Sequence, residues 1–259
     1  MSTIIYPSPI FGPVHSRRLG VSLGINLLPA DGKVCSFDCI YCECGLNAWH
    51  RPKLKMPSRD EVRTALEARL QQMTAEGPRP DVLTFAGNGE PTLHPHFPEI
   101  IDDTIRLRDQ YFPQARISVL SNATQILRPA VHAALLRVDN NILKLDTVNA
   151  DFIQAVDQPT ASYDVQSILE GLRAFQGHVI IQTMFLSGTD ATGRDVTNTS
   201  EDFVRPWLSA LQVIGPEKVM IYTIDRETPV PTLLKASPEM LDSIAAQVRA
   251  LGLECSVAY

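Results

Sequence analysis

Short apolar, β-rich runs alternate with amphipathic stretches along most of the chain. The runs fall at 22–28, 81–86, 116–121, 140–146, 178–185 and 218–224, with a last short one near Cys255. They are close to continuous instead of alternating, which is the pattern of parallel strands covered by helices. Between them, Val62, Leu66 and Leu70 recur at helical spacing behind the capping box Ser58-Arg59-Asp60-Glu61. Val165, Ile168, Leu172 and Phe175 mark another helix. Ser237-Pro238 supplies a cap and a first-turn proline ahead of Leu241, Ile244, Val248 and Leu251. Strand and helix alternate about six times, which predicts an α/β protein built on a parallel sheet or barrel. The proline-rich start (Pro7, Pro9, Pro13) and the Gly/Thr-rich stretch 187–200 read as loops.

Composition adds limits to this picture. With 259 residues, 44% hydrophobic and 20% charged, the chain suits one domain over 1–259, with a core at about 22–224 and elaborations at 1–21 and 225–259. A net charge of -6 gives no global attraction to nucleic acid or to an anionic membrane. The N-terminus lacks a basic region followed by an apolar stretch, and no later run is long enough to span a bilayer. Five cysteines, four of them crowded into one segment, argue against a disulfide framework and for a reducing cytoplasm.

In parallel α/β architectures chemistry collects beyond the C-terminal ends of the strands, and the candidate residues fall there. Cys35, Cys39 and Cys42, spaced CxxxCxxC, follow the first run; Gly87-Asn88-Gly89-Glu90-Pro91 follows the second and Ser121-Asn122 the third. Lys144 and Asp146 end the fourth, Gln182 and Met184 the fifth, and Tyr222, Asp225 and Arg226 the sixth. Three soft thiolates without an obvious fourth ligand can hold an iron-sulfur cluster with one iron left open. Structural zinc on Cys35, Cys39, Cys42 and Cys44 is the competing reading, although zinc sites usually present two separated ligand pairs.

The cysteine motif, with aromatic Tyr41 before its last member and Gly89-Glu90-Pro91 one strand later, resembles the radical S-adenosylmethionine (radical SAM) superfamily. Gly12-Pro-Val-His-Ser-Arg-Arg-Leu-Gly20, Leu23-Gly-Ile-Asn26 and Gly87 to Pro95 look most like its wyosine-synthase-like branch. The resemblance implies a partial (β/α)6 TIM-like barrel, with Cys35, Cys39 and Cys42 binding a [4Fe-4S] cluster. It implies that Gly87, Asn88, Gly89, Glu90 and Pro91 approach the methionine part of S-adenosylmethionine, Ser121 and Asn122 its ribose or carboxylate, and Tyr41 its adenine. The implied reaction is reductive cleavage of S-adenosylmethionine, giving a 5'-deoxyadenosyl radical that abstracts hydrogen from a substrate. The substrate is a small molecule, a tRNA or a protein, and the electron comes from a reductant such as flavodoxin or ferredoxin. Many relatives have adjacent glycines where this chain has Asn88 between Gly87 and Gly89.

Three downstream roles compete: a tRNA-modifying enzyme, an activating enzyme that installs a glycyl radical, and a non-catalytic iron-sulfur or zinc module. Members that build the tricyclic wyosine base carry an additional cysteine triad ahead of the first, and here no cysteine precedes Cys35. Several residues carry two readings. Lys144 and Asp146 are either a buried ion pair or ligand contacts. His94 and His96 either bind metal or shape the start of a helix. Cys44 is a neighbouring thiol or part of an auxiliary site, Cys255 is core packing, and Arg17 and Arg18 grip an anion or lie exposed.

Overall fold

The computed structural model describes residues 3–16 and 20–259, with Ser16 described by its backbone alone; Arg17 and Arg18 lie outside the described residues. The described residues form ten strands: β1 (Ile10–Ser16), β2 (Gly20–Ile25), β3 (Val82–Phe85), β4 (Arg116–Ser121), β5 (Asn140–Lys144), β6 (Ile180–Met184), β7 (Leu186–Gly188), β8 (Lys218–Tyr222), β9 (Leu233–Lys235) and β10 (Glu254–Ala258). Eight form one sheet in the order β1-β2-β3-β4-β5-β6-β8-β10. Every neighbouring pair from β2 to β10 is parallel, while β1 joins the edge antiparallel. β7 and β9 pair separately as an antiparallel ribbon.

Among the described residues seven α-helices connect or follow these strands: α1 (Arg59–Glu76), α2 (Phe97–Tyr111), α3 (Pro129–Leu135), α4 (Ala150–Phe152), α5 (Val165–Arg173), α6 (Glu201–Ile214) and α7 (Pro238–Ala250). α4 runs directly into a π-helical turn, Ile153–Asp157. The capping box of α1 forms, with the Ser58 hydroxyl accepting from Glu61 N at 3.3 Å and the Glu61 carboxylate accepting from Ser58 N at 2.6 Å. Its buried face is Val62, Leu66, Leu70 and Met73, as the periodicity requires. Ser237 caps α7 through Met240 N.

The two sheet faces differ in chemistry. Outward residues such as Leu23, Leu83, Phe85, Ile117, Val119 and Ile181 are fully buried in one core beneath the helices. Inward residues are smaller and more polar: Ser22 and Thr84 share a hydrogen bond of 2.8 Å, and Asn140 donates to Ser118 at 2.8 Å. Leu120, Ile142, Ile180 and Met220 add an apolar patch to the same face. Inward residues of β1 to β6 and β8 line a single cavity of about 680 Å³, so the sheet curls into a partial (β/α)6 barrel extended by β10.

Two segments read as loops contain strands. β1 includes Pro13, and its register slips between Phe11 and Val14. An irregularity on an edge strand tolerates a proline that would break a central one. Within 187–200 only β7 is regular, closed against β9 from far along the chain. No helix among the described residues is long and apolar enough to cross a membrane.

Candidate metal centre and cofactor cavity

The cysteine segment leaves β2 and is clamped on two sides by backbone hydrogen bonds. On one side Val34 N donates to Asn88 O at 2.9 Å and Glu90 N donates to Val34 O at 3.0 Å. On the other, Asp38 N reaches Asp157 O at 3.0 Å and Ile40 N reaches Val156 O at 2.9 Å. The π-turn after α4 is therefore a scaffold for the central cysteine. The three cysteines, like Cys44 and Cys255, are free thiols.

The glycine motif serves this clamp first. Gly89 has φ +127°, and a Cβ there would collide with the Val34 carbonyl, immediately before Cys35. Gly87, at φ +143°, lies against the Asn26 side chain. Asn88 is fully buried and points away from the cavity: its Oδ1 accepts from Tyr6 N at 2.7 Å, and its Nδ2 donates to Tyr6 O at 2.9 Å and Pro29 O at 2.8 Å. The extra side chain between the glycines thus fastens the N-terminal segment. Glu90 is buried as well, accepting from Thr92 N at 3.0 Å and Asn122 N at 2.6 Å, and burial pushes its pKa up. Pro91 opens the short 3-10 turn that follows. Asn122 continues to the cysteine loop, its amide donating to Cys35 Sγ at 3.5 Å and Ser36 Oγ at 3.0 Å. Ser121, buried beside it, accepts from Ala123 N at 3.1 Å.

Lys144 and Asp146 form an ion pair, and the Tyr41 hydroxyl bonds to both. Asp157 joins the network, 2.8 Å from Lys144 Nζ and 3.7 Å from Cys39 Sγ. Burial raises the Asp157 pKa to about 6 against the opposing pull of Lys144. Burial alone would lower the Lys144 pKa, but the two carboxylates overcome it and the ammonium is held well above its ordinary value. Asp157 carries no signal in the sequence; it becomes recognisable only when the π-turn meets the cysteine loop.

Lys33 is the other functional side chain absent from the sequence reading. It is 3% exposed, donates from Nζ to Gly45 O at 2.7 Å and pairs with Asp38 at 3.3 Å. The neighbouring thiols Cys42, Cys35 and Cys39 raise its pKa against the effect of burial. A lysine two residues before the first cysteine was the available clue, but its burial is a tertiary fact. The thiols themselves are unequal. Burial pushes Cys35 up to about 12, whereas the hydrogen bond from Cys44 holds Cys42 down, to about 6. Cys44 also approaches Gly87 O at 3.5 Å.

Two cavities meet at the last cysteine. The smaller, about 270 Å³, is lined by Cys39, Tyr41, Cys42, Lys144, Met184 and Tyr222 among others. The larger is the barrel interior, where Cys42 and Cys44 face Gly87, Thr84 and Gln182. Glu43, Asp225 and Arg226 border both, and Arg226 bonds to Glu43 at 3.0 Å. His94 lies elsewhere, its Nε2 at 2.8 Å from Pro57 O and its Nδ1 accepting from His96 N at 3.2 Å. Both ring nitrogens are thereby engaged in shaping the start of α2. Cys255 belongs to the core.

The donor set fits an iron-sulfur cluster. Three soft thiols stand beside one buried ammonium that can balance thiolate charge, and the loop opens onto a cavity at Cys42. Among the described residues no three His, Cys, Asp or Glu side chains converge as they would around a single ion. A polynuclear cluster asks instead for thiolates on separate irons.

The sequence model of the Radical SAM superfamily matches residues 31–201, and the chain belongs to that superfamily. It is 33% identical over 224 residues to a UPF0026 protein of Helicobacter pylori, covering 85% of this chain and 67% of that one. Its fold resembles a radical SAM methyltransferase from Sphaerobacter thermophilus, with a TM-score of 0.65 at 16% identity over 92% of this chain and 66% of that one. It also resembles SuiB of Streptococcus suis bound to S-adenosylmethionine, with a TM-score of 0.64 at 12% identity over 90% of this chain and 50% of that one. The chain spans about half to two-thirds of the length of these proteins.

Proposed function

We propose that the chain is a single-domain, cytoplasmic radical SAM enzyme in which Cys35, Cys39 and Cys42 hold a [4Fe-4S] cluster and the barrel interior receives the substrate. The observation that carries this reading is the position of Cys42, on the wall of both cavities at their junction. When bound, the cluster supplies the electron that splits S-adenosylmethionine into methionine and a 5'-deoxyadenosyl radical competent to take a substrate hydrogen.

The chain's own residues position and shield that chemistry. The 87–91 segment and the Ser121–Asn122 pair fix the cysteine loop and offer backbone groups to the cofactor, since the side chains of Asn88 and Glu90 are engaged elsewhere. Tyr41, anchored by Asp146, forms one wall of the smaller cavity. Lys33 keeps a positive charge beside the thiolates, where a buried anion without a partner would be costly. Ile40, Phe152, Val156, Met184 and Leu186 pack as a second apolar cluster against Cys39 and Tyr41, which keeps water from the reacting centre.

Anaerobic reconstitution with iron and sulfide, followed by dithionite and S-adenosylmethionine, is expected to yield 5'-deoxyadenosine. An intact cluster without that product would overturn the catalytic reading. Cys39→Ala is expected to lose the brown absorbance and the product together, and retention of a full four-iron cluster would overturn the ligand assignment. The discriminating test for a tRNA substrate is binding that weakens with salt, because phosphate contacts release counterions.

A further inference from the structure

The reaction proposed above consumes one electron from outside the chain, and the electron must cross the protein surface near the cysteine loop. Both cavities are committed to cofactor and substrate in that reading. The opposite side of the loop is covered by residues 47–57, and its contacts with the loop are direct. Asn47 Nδ2 donates to Cys35 O and Phe37 O, each at 3.2 Å. Lys33 N donates to His50 O at 2.8 Å. A Cβ on Gly45 would lie 3.1 Å from the Trp49 ring and 3.3 Å from the His50 ring, so both rings pack on that glycine. Gly45 N in turn donates to Cys42 O at 2.9 Å.

The outer surface of this segment has an unusual character for the chain. Trp49 is 45% exposed and Leu54 58% exposed, with Arg51, Lys53 and Lys55 exposed beside them. No acidic residue occurs between 47 and 57, in a chain whose net charge is -6. Among the described residues none of these three cations is held in an ion pair. Two carboxylates grip the segment through its backbone and so fix its shape: Asp31 accepts the N–H groups of Lys53 and Leu54, and Asp38 accepts that of Asn47 at 2.7 Å. An exposed tryptophan and leucine among unpaired cations form a surface suited to a negatively charged protein partner.

We propose that residues 47–57 are the docking surface for a small acidic one-electron carrier protein, which delivers its electron through the Trp49–Gly45 contact to the cysteine loop. The inference rests on the cluster assignment made above. In the transfer, the reduced carrier loses one electron and the oxidised cluster gains it; no bond forms or breaks. A nucleic acid is the competing polyanion. The position disfavours it, because Trp49, Arg51, Lys53 and Lys55 do not line the barrel cavity that an RNA substrate would have to engage.

The test uses reduced flavodoxin as the probe and the reconstituted full chain as acceptor, followed by stopped-flow absorbance of semiquinone formation and cluster bleaching. For the wild type, the rate is expected to fall as salt is raised, since exposed charges are screened. The combined variant Arg51→Glu, Lys53→Glu, Lys55→Glu is expected to lower the flavodoxin-driven rate by about tenfold or more and to remove most of its salt dependence. Reduction by dithionite is expected to be unchanged, and so is flavodoxin-driven reduction of the remote control Arg173→Glu, Arg205→Glu. An unchanged rate in the triple variant, or an equal loss in the control, would overturn the proposal. A triple variant that lost only salt-sensitive tRNA binding would overturn it in favour of nucleic acid. The unreconstituted chain provides a readout independent of the cluster: flavodoxin should shift the Trp49 indole N–H resonance in the wild type and not in the triple variant. If the indole shifts but no cluster assembles, the cluster assignment fails while the docking surface stands. If the cluster forms and cleaves S-adenosylmethionine but the indole does not move, the docking surface fails alone.

Discussion

Gly89 shows how one backbone position governs the cysteine loop. Its φ of +127° and its closeness to the Val34 carbonyl leave no room for a side chain. Gly89→Ala is expected to displace Val34 and Cys35, with strain of about 1–3 kcal/mol, and to lower both the iron bound per chain and the melting temperature. Gly193→Ala is the control: it also has positive φ but meets nothing within 4 Å, so it should keep full iron content. His94 supports a separate prediction. Burial lowers its pKa below 6.5, so the unfolded chain binds a proton that the native chain resists. Its contribution is therefore complete above pH 6.5 and declines as the pH falls from there toward the lower native value. Urea midpoints at neutral and mildly acidic pH should show the wild type losing more stability than His94→Gln, which retains a donor for Pro57 O; equal losses would refute the assignment. At this scale the closeness of the cysteine loop to the glycine motif was legible, because each follows one of two neighbouring strands. Lys33 and Asp157 were not, because a charge on a loop becomes informative only when folding buries it beside a thiol. Gly89 makes room for the neighbouring loop, a constraint that stands beside any approach of the glycine segment to a ligand.

Helices were legible where a cap and an apolar stripe coincide. α1 and α7 have both: Ser58 and Ser237 each accept a backbone N–H group in the first turn. α5 was legible from its apolar stripe alone, although Asp164 caps it. The periodic residues are buried except Leu251, which is half-buried just past the end of α7. Ser58→Ala removes one of these caps and is expected to cost about 1 kcal/mol of stability. The change should appear as a lower denaturant midpoint with an unchanged slope, since the surface exposed on unfolding is the same. A changed slope would mean that the variant alters more than the cap. The central strands were legible for a related reason, because their outward faces are mostly apolar, with Asn141 and Thr183 as buried polar exceptions. β1, β7 and β9 escaped for opposite reasons. β1 carries Pro13, and β7 and β9 are three residues each, held by a partner about fifty residues away that no local pattern announces.

For the whole molecule, the consequential feature is a sheet that curls without closing. Three segments far apart in sequence are joined where the two cavities meet. Arg226, in the loop after β8, bonds to Glu43 of the cysteine segment at 3.0 Å and to the Tyr6 side chain of the N-terminal segment. Tyr6 is held from the other side by the buried Asn88, and Ile4 N donates to Glu43 O at 3.0 Å. The Arg226–Glu43 pair is about half exposed on both sides, so its global contribution is small, roughly 0–1 kcal/mol. Its local effect should be larger, because it joins the rim of the barrel to the cysteine loop without help from a regular element. Arg226→Ala is therefore expected to leave the melting temperature nearly unchanged while raising amide hydrogen exchange in residues 3–9 and 41–46. Exchange in α1 and α7, whose buried faces pack in the main core beneath the sheet, should not change. A uniform rise across the chain would mean that the pair supports global stability instead. No change at the rim would mean that Asn88 and the Ile4 backbone hydrogen bond hold the N-terminal segment by themselves.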